Sequence, residues 1–146
     1  MFDAYDSQHG ASCTDLSHTL PDGRRLAYVY DIRRGANATE LAMLRPLKAN
    51  GPVPAKLVAE DILWRSRGRR FTRFIVGPSS LLAAGNDGTK SPVEHFVAAV
   101  KLADGSDLWH EKLPASAVKG GTAVDHAGRL FVALDDGQVV CLGAAR

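Results

Sequence analysis

Five histidines, two cysteines and a run of arginines are the side chains here that could carry chemistry. A metal site asks for His, Cys or carboxylates at ligand spacing. His9, His18, His95, His110 and His126 form no H-x₃-H or H-E-x-x-H pair, and His110 and His126, after a strand or in a turn, are read as exposed polar positions. Cys13 and Cys141 lie at opposite ends of the chain, again without ligand spacing. Cys141 sits in Val139-Val140-Cys141-Leu142, where a thiol is expected to pack as a small hydrophobe. A bridge to Cys13 would require the two ends to meet. Asn86-Asp87-Gly88 and Asp135-Asp136-Gly137 lack the alternating oxygen ligands and later Glu of a calcium loop, and are expected to be hairpin turns. Gly77-Pro78-Ser79-Ser80 is no nucleophile elbow, because Leu81 stands where the second glycine belongs. Gly120-Gly121 precedes a strand-like run, so no helix N-terminus follows it to cradle a phosphate. These residues name no catalytic, cofactor-binding or metal-ligating group.

One charge cluster remains: Arg65, Arg67, Arg69, Arg70 and Arg73. Strand alternation puts Arg65 and Arg67 on one face, with Arg69-Arg70 expected in the turn that follows. A solvated strand and turn is the plain reading, and docking onto an acidic partner or another domain is the functional one. A nucleic-acid surface would need interleaved aromatics, and only Phe71 and Phe74 are near.

The background is that of an ordinary globular chain of 146 residues, 45% apolar and 23% charged. A formal net charge of +2 is too small to argue for nucleic acid or an anionic membrane. No run approaches the roughly 20 apolar residues of a membrane-spanning helix. Met1 to Asp6 carry neither a basic nor an apolar stretch, so no secretory signal is read there and the compartment stays open.

The elements that position these side chains are read as strands. Ala99 to Leu102, the turn Asp104-Gly105 and a strand entering at Trp109 make a hairpin. Phe74-Ile75-Val76, Leu81 to Ala84, His95 to Leu102, Gly121 to Val124, Leu130 to Leu134 and Val139 to Leu142 are further short strands bounded by turn residues. Glu40 to Leu44 fits a strand or one helical turn. Residues 1–18 read as an irregular tail, and Asn50-Gly51-Pro52-Val53-Pro54 as a loop. Phe74 to Gly88 returns about 48 residues later as Ala123 to Gly137, and Trp64 returns as Trp109, each preceded by leucine. A period of about 40–50 residues with four short strands belongs to β-propeller blades. A weaker echo begins at Asp22-Gly23 and runs to Val29.

At these residues the chain resembles the PQQ-like β-propeller repeats of the quinoprotein alcohol dehydrogenase-like superfamily. The family's docking motif runs Ala-x-Asp-x-x-Thr-Gly-x-x-x-Trp. Ala99, Gly105 and Trp109 match it, while Lys101 and Asp104 stand where the motif has Asp and Thr. The resemblance covers residues 62–143 well and 20–61 poorly. It implies that Trp109 and Trp64 are packing residues wedged between blades. It also implies an all-β, partial (open) propeller: a degraded unit over 19–68, a blade over 69–113 and an incomplete final blade over 114–143. Three blades fall short of the four to eight of a typical ring, so upstream blades or another protein chain are the expected partners. The expected function is a non-catalytic scaffold or interaction module without a cofactor, a C-terminal part of a larger repeat protein. The alternative is a fragment of a dehydrogenase dependent on pyrroloquinoline quinone, with calcium beside the quinone.

Overall fold

A computed structural model describes residues 17–30, 39–46 and 59–143. Cys13, His9 and the Asn50–Pro54 loop lie outside the described residues. The described chain is all-β apart from one 3₁₀ turn at Ala59–Asp61, and its strands form three antiparallel sheets. By contacts it divides into two compact units, residues 1–68 and 69–146.

The first unit holds a four-stranded sheet in chain order: β1 (Ser17–Thr19), β2 (Arg25–Tyr30), β3 (Thr39–Leu44) and β4 (Ile62–Arg65). The degraded unit expected here therefore has a full set of four strands. Its first strand takes in Ser17 and His18, which the sequence placed in the tail. Glu40 to Leu44 resolves as strand and is buried throughout, because β3 is central and both its faces are covered. Ala27, Ala42 and Leu44 form one buried cluster with Ile62 against it, and Leu26, Leu41, Met43 and Trp64 are buried as well. Glu40 is buried as a charge. Its Oε2 accepts from Arg65 Nε at 2.5 Å and its Oε1 from the Gly68 amide at 2.7 Å, the pairing a buried carboxylate requires.

In the second unit β5 (Arg69–Val76), β6 (Ser80–Asp87), β7 (Glu94–Lys101) and β8 (Asp107–Leu113) make another four-stranded meander. Arg69 and Arg70 open β5; they are not in a turn as expected. The third sheet has only β9 (Ala117–Val124), β10 (Leu130–Leu134) and β11 (Val139–Leu142), in the order β11-β10-β9. It packs on one face of the second sheet. Leu130, Val132 and Leu134 alternate inward along β10 and meet Ala84, Val97, Leu113 and Ala117, with Leu82, Val140 and Leu142 at the margin. Burying each Leu or Val side chain stabilises the fold by about 1.5–3 kcal/mol. The opposite face of the second sheet is aromatic. Phe96 lies edge-on to Phe71 at 5.6 Å and stacks on His110 at 5.1 Å, with the Arg69 guanidinium 4.9 Å above its ring.

One turn recurs. Between β1 and β2, β9 and β10, and β10 and β11, a residue's N–H donates to the carbonyl four residues on. The glycine between them returns a bond: Gly23 to Leu20, Gly128 to Asp125 and Gly137 to Leu134. Each glycine has φ between 76° and 86°, the left-handed position that closes a three-residue hairpin loop. Aspartate carboxylates finish the turns. Asp22, Asp104 and Asp136 accept the N–H two residues on, at 2.9–3.0 Å.

Gly85 needs its missing side chain for a different reason. It lies opposite Phe71, where β5 bulges between Phe71 and Arg73, and a methyl built there would overlap the Arg70 carbonyl oxygen. Gly85→Ala is expected to lower stability by about 1–3 kcal/mol or more, measured as a shift in urea midpoint. The turn carboxylates predict a pH response. The Arg24 amide holds the Asp22 carboxyl below its ordinary range, the Thr89 hydroxyl does so for Asp87, the Ser106 hydroxyl for Asp104 and the Arg129 amide for Asp125. The unfolded chain therefore takes up protons first as pH drops. Stability from these bonds is present above about pH 4 and lost as pH falls through the lower folded values. The unfolding temperature should hold between about pH 7 and 5 and drop below about pH 4.

Candidate functional site

Strand alternation decides what β8 offers. Glu111 pairs with Val97 and Trp109 with Ala99, so Trp109, Glu111 and Leu113 share the face on which Val97 meets the third sheet. Leu113 is buried there, whereas Trp109 and Glu111 are exposed, Trp109 by 39%. The reason is a missing layer. β5 packs against β9, so stepping across both sheets brings β8 opposite the position beyond β11, and among the described residues no strand occupies it.

The result is a cleft of about 460 Å³ lined by Leu82, Trp109, His110, Glu111, Leu130 and Leu142, with Gly128 and Gly143 at its rim. Its lining mixes the apolar side chains of Leu82, Trp109, Leu130 and Leu142 with polar surface that includes Glu111, and the Glu111 carboxylate makes no ion pair among the described residues. Its neighbour Lys112 is engaged elsewhere, at 2.6 Å from Glu94. Trp109 thus stands at an open mouth. Trp64 on β4 is by contrast buried, 9% exposed.

The free edge of β11 borders the same cleft. The Leu134 N–H donates to the Gln138 carbonyl, and antiparallel bonding alternates. The pairs Val132–Val140 and Leu130–Leu142 therefore exchange bonds, while the N–H and C=O of Val139 and Cys141 point away from β10. Cys141 is also exposed and free, not packed as the sequence suggested. Among the described residues the third sheet is packed on one face, against the second sheet. Val140 and Leu142 turn toward it, so alternation turns Cys141 outward.

The arginine cluster disperses. Arg65 is held by Glu40. Arg69 makes a two-pronged bond to Asp107, at 2.7 and 2.5 Å, that ties the first and last strands of the second sheet. Desolvation opposes the bond to Asp107, and the bond prevails in raising the Arg69 pKa. Arg67 is exposed in the turn before β5, and Arg70 lies beside Gly88. Of Arg73 only the backbone, on β5, is described. Ala99 and Gly105 fall where the hairpin reading put them. Ala99 faces Trp109 in register, and Gly105 takes φ 74° in the turn.

Sequence reasoning passed over Glu111. Its signal was the alternation Trp109-x-Glu111-x-Leu113, which ties the carboxylate to the face of a core leucine. No family model matches the chain, and no curated protein matches it in sequence.

The two tryptophans should separate in stability. Trp64→Ala is expected to cost about 3–5 kcal/mol, the usual range for a buried large aromatic. Trp109→Ala should cost less than half as much, because over a third of that side chain stays in water. Urea denaturation of the two variants, followed by circular dichroism, measures both.

Proposed function

We propose that this chain is a non-catalytic interaction module of the β-propeller type, each sheet serving as a blade of the PQQ-like kind. The observation that carries this reading is a row of residues that returns in register. Across the first sheet Leu26 pairs with Met43 and Met43 with Trp64. Across the second, Leu82 pairs with Ala99 and Ala99 with Trp109. In both, the residue before the tryptophan is a leucine looped out of the ladder. Register shifts leave Leu63 and Leu108 unpaired, and they are 46% and 53% exposed. A bulge turns the outer strand at the same point in each unit. Repeats of this kind supply stiff, stackable sheets whose exposed strands and edges are surfaces for other chains.

Titration with pyrroloquinoline quinone, with and without calcium, separates this module from a quinone-dependent enzyme. Absorbance and tryptophan fluorescence are expected to show no saturable change up to about 100 μM, short of a standard free energy near −5.5 kcal/mol. Stoichiometric, calcium-dependent binding would replace the module by the enzyme.

A further inference from the structure

We propose that the free edge of β11 and the cleft beside it receive an extended segment of another protein, added as a fourth strand and carrying a Lys or Arg between apolar residues. The inference rests on the interaction-module reading and names the partner's chemistry. Three observations carry it. Val139 and Cys141 turn two residues' N–H and C=O groups away from β10, and among the described residues no strand pairs with them; they lie two positions apart, the repeat an incoming strand matches. Val139-Val140-Cys141-Leu142 contains no Lys or Pro that would block the approach. The position beyond β11 also lies over β8, whose Trp109 and Glu111 face it uncovered.

Side-chain geometry then selects the occupant. Alternate residues of the added strand fall on the same face as Val140 and Leu142 and enter the cleft. Apolar ones meet Leu82, Leu130, Leu142 and the Trp109 ring. A cationic one meets Glu111, the only carboxylate in the lining, and can lie over the indole face. An acidic residue there would set two like charges in a half-enclosed cleft. The strand's other residues face solvent beside Val139 and Cys141, so polar residues suit them.

The test uses the full chain and a fluorescein-labelled peptide of sequence Ser-Val-Thr-Arg-Thr-Val-Ser, followed by anisotropy. Saturable binding is expected, weakened about tenfold or more when the peptide's Arg is replaced by Glu (at least 1.4 kcal/mol). Glu111→Lys should invert that preference. Cys141→Pro removes an edge donor without touching the β10 ladder and should weaken binding about tenfold or more, whereas Cys141→Ala should not. A melting temperature for Cys141→Pro close to the parent's shows that the sheet stands; if that variant unfolds, Glu111→Lys carries the test. The proposal is overturned by absence of saturable binding up to about 1 mM, a standard free energy near −4 kcal/mol, or by equal affinity for the Arg and Glu peptides. Hydrogen-exchange protection of the Val139 and Cys141 amides in the free chain overturns it too, because a segment of the chain would already fill the edge. So does dimerisation abolished by Cys141→Pro, which would make a second copy the occupant. If the peptide fails and the quinone titration is also silent, the strand inference falls and the module reading stands.

Discussion

Small side chains in the middle of the second sheet set how closely its neighbours can approach. Ala83, Ala84 and Gly85 on β6 face Ala98, Val97 and Phe96 on β7, and all are buried. On one face Ala84 leaves room for Leu130, Val132 and Leu134 to reach Val97 and Leu113. Along the same strand Gly85 lets the bulged β5 backbone press against β6. Ala99 then leaves Trp109 a shallow neighbour. Larger residues here would force the third sheet outward, and close packing tolerates little such displacement. The cleft under Trp109 lies where β8 faces the third sheet's side and, among the described residues, no fourth strand covers it.

Backbone register is repeated between the units more faithfully than side-chain chemistry. Counting from the two tryptophans, Glu40 and Arg65 hold the same diagonal positions in the first sheet as Phe96 and His110 in the second. One diagonal is an ion pair at 2.5 Å and the other a stack of two rings at 5.1 Å. Both fill a cross-strand spot where side chains two residues apart come within reach. The ion pair is the riskier filling, because removing Arg65 would strand a buried carboxylate, a loss of about 3–5 kcal/mol. The ring stack leaves no comparable charge behind. A ladder can thus keep its bonding while its surface is rewritten.

What the sequence shows follows from how local the determinants are. The Asp-Gly and Gly turns, the alternating Leu130-Phe131-Val132-Ala133-Leu134 run and the all-β class depend on neighbours in sequence, and these expectations agree with the sheets. Coverage is another matter, because it depends on which layer lies over a face. Alternation alone places Cys141 and Trp109 on faces, yet exposure depends on what lies over each: among the described residues no strand stands beyond β11 opposite Trp109, and none covers the face of Cys141. The arginines depend on distant partners in the same way. Five in nine residues look like one patch, but Glu40 and Asp107, 25 and 38 residues away along the chain, each claim one of them. The first sheet stayed faint because its strands are set far apart in the chain, β3 and β4 being separated by the run from 45 to 61.

The aspartate turns bear on how the molecule ages. Among aspartyl dipeptides Asp-Gly is the most open to succinimide formation, in which the amide nitrogen after the aspartate attacks its side-chain carboxyl with loss of water, and hydrolysis can reopen the ring with an extra backbone carbon. Asp22-Gly23, Asp87-Gly88, Asp104-Gly105 and Asp136-Gly137 are four such places. Cyclisation favours a protonated carboxyl free to swing onto that nitrogen. Asp22, Asp87 and Asp104 are held ionised by partners two residues on, and all four carboxylates accept an N–H from that same residue. The bonds that close the hairpins therefore also slow their chemical decay. Mild acid, which loosens these bonds, would expose the chain to covalent damage that outlasts any refolding.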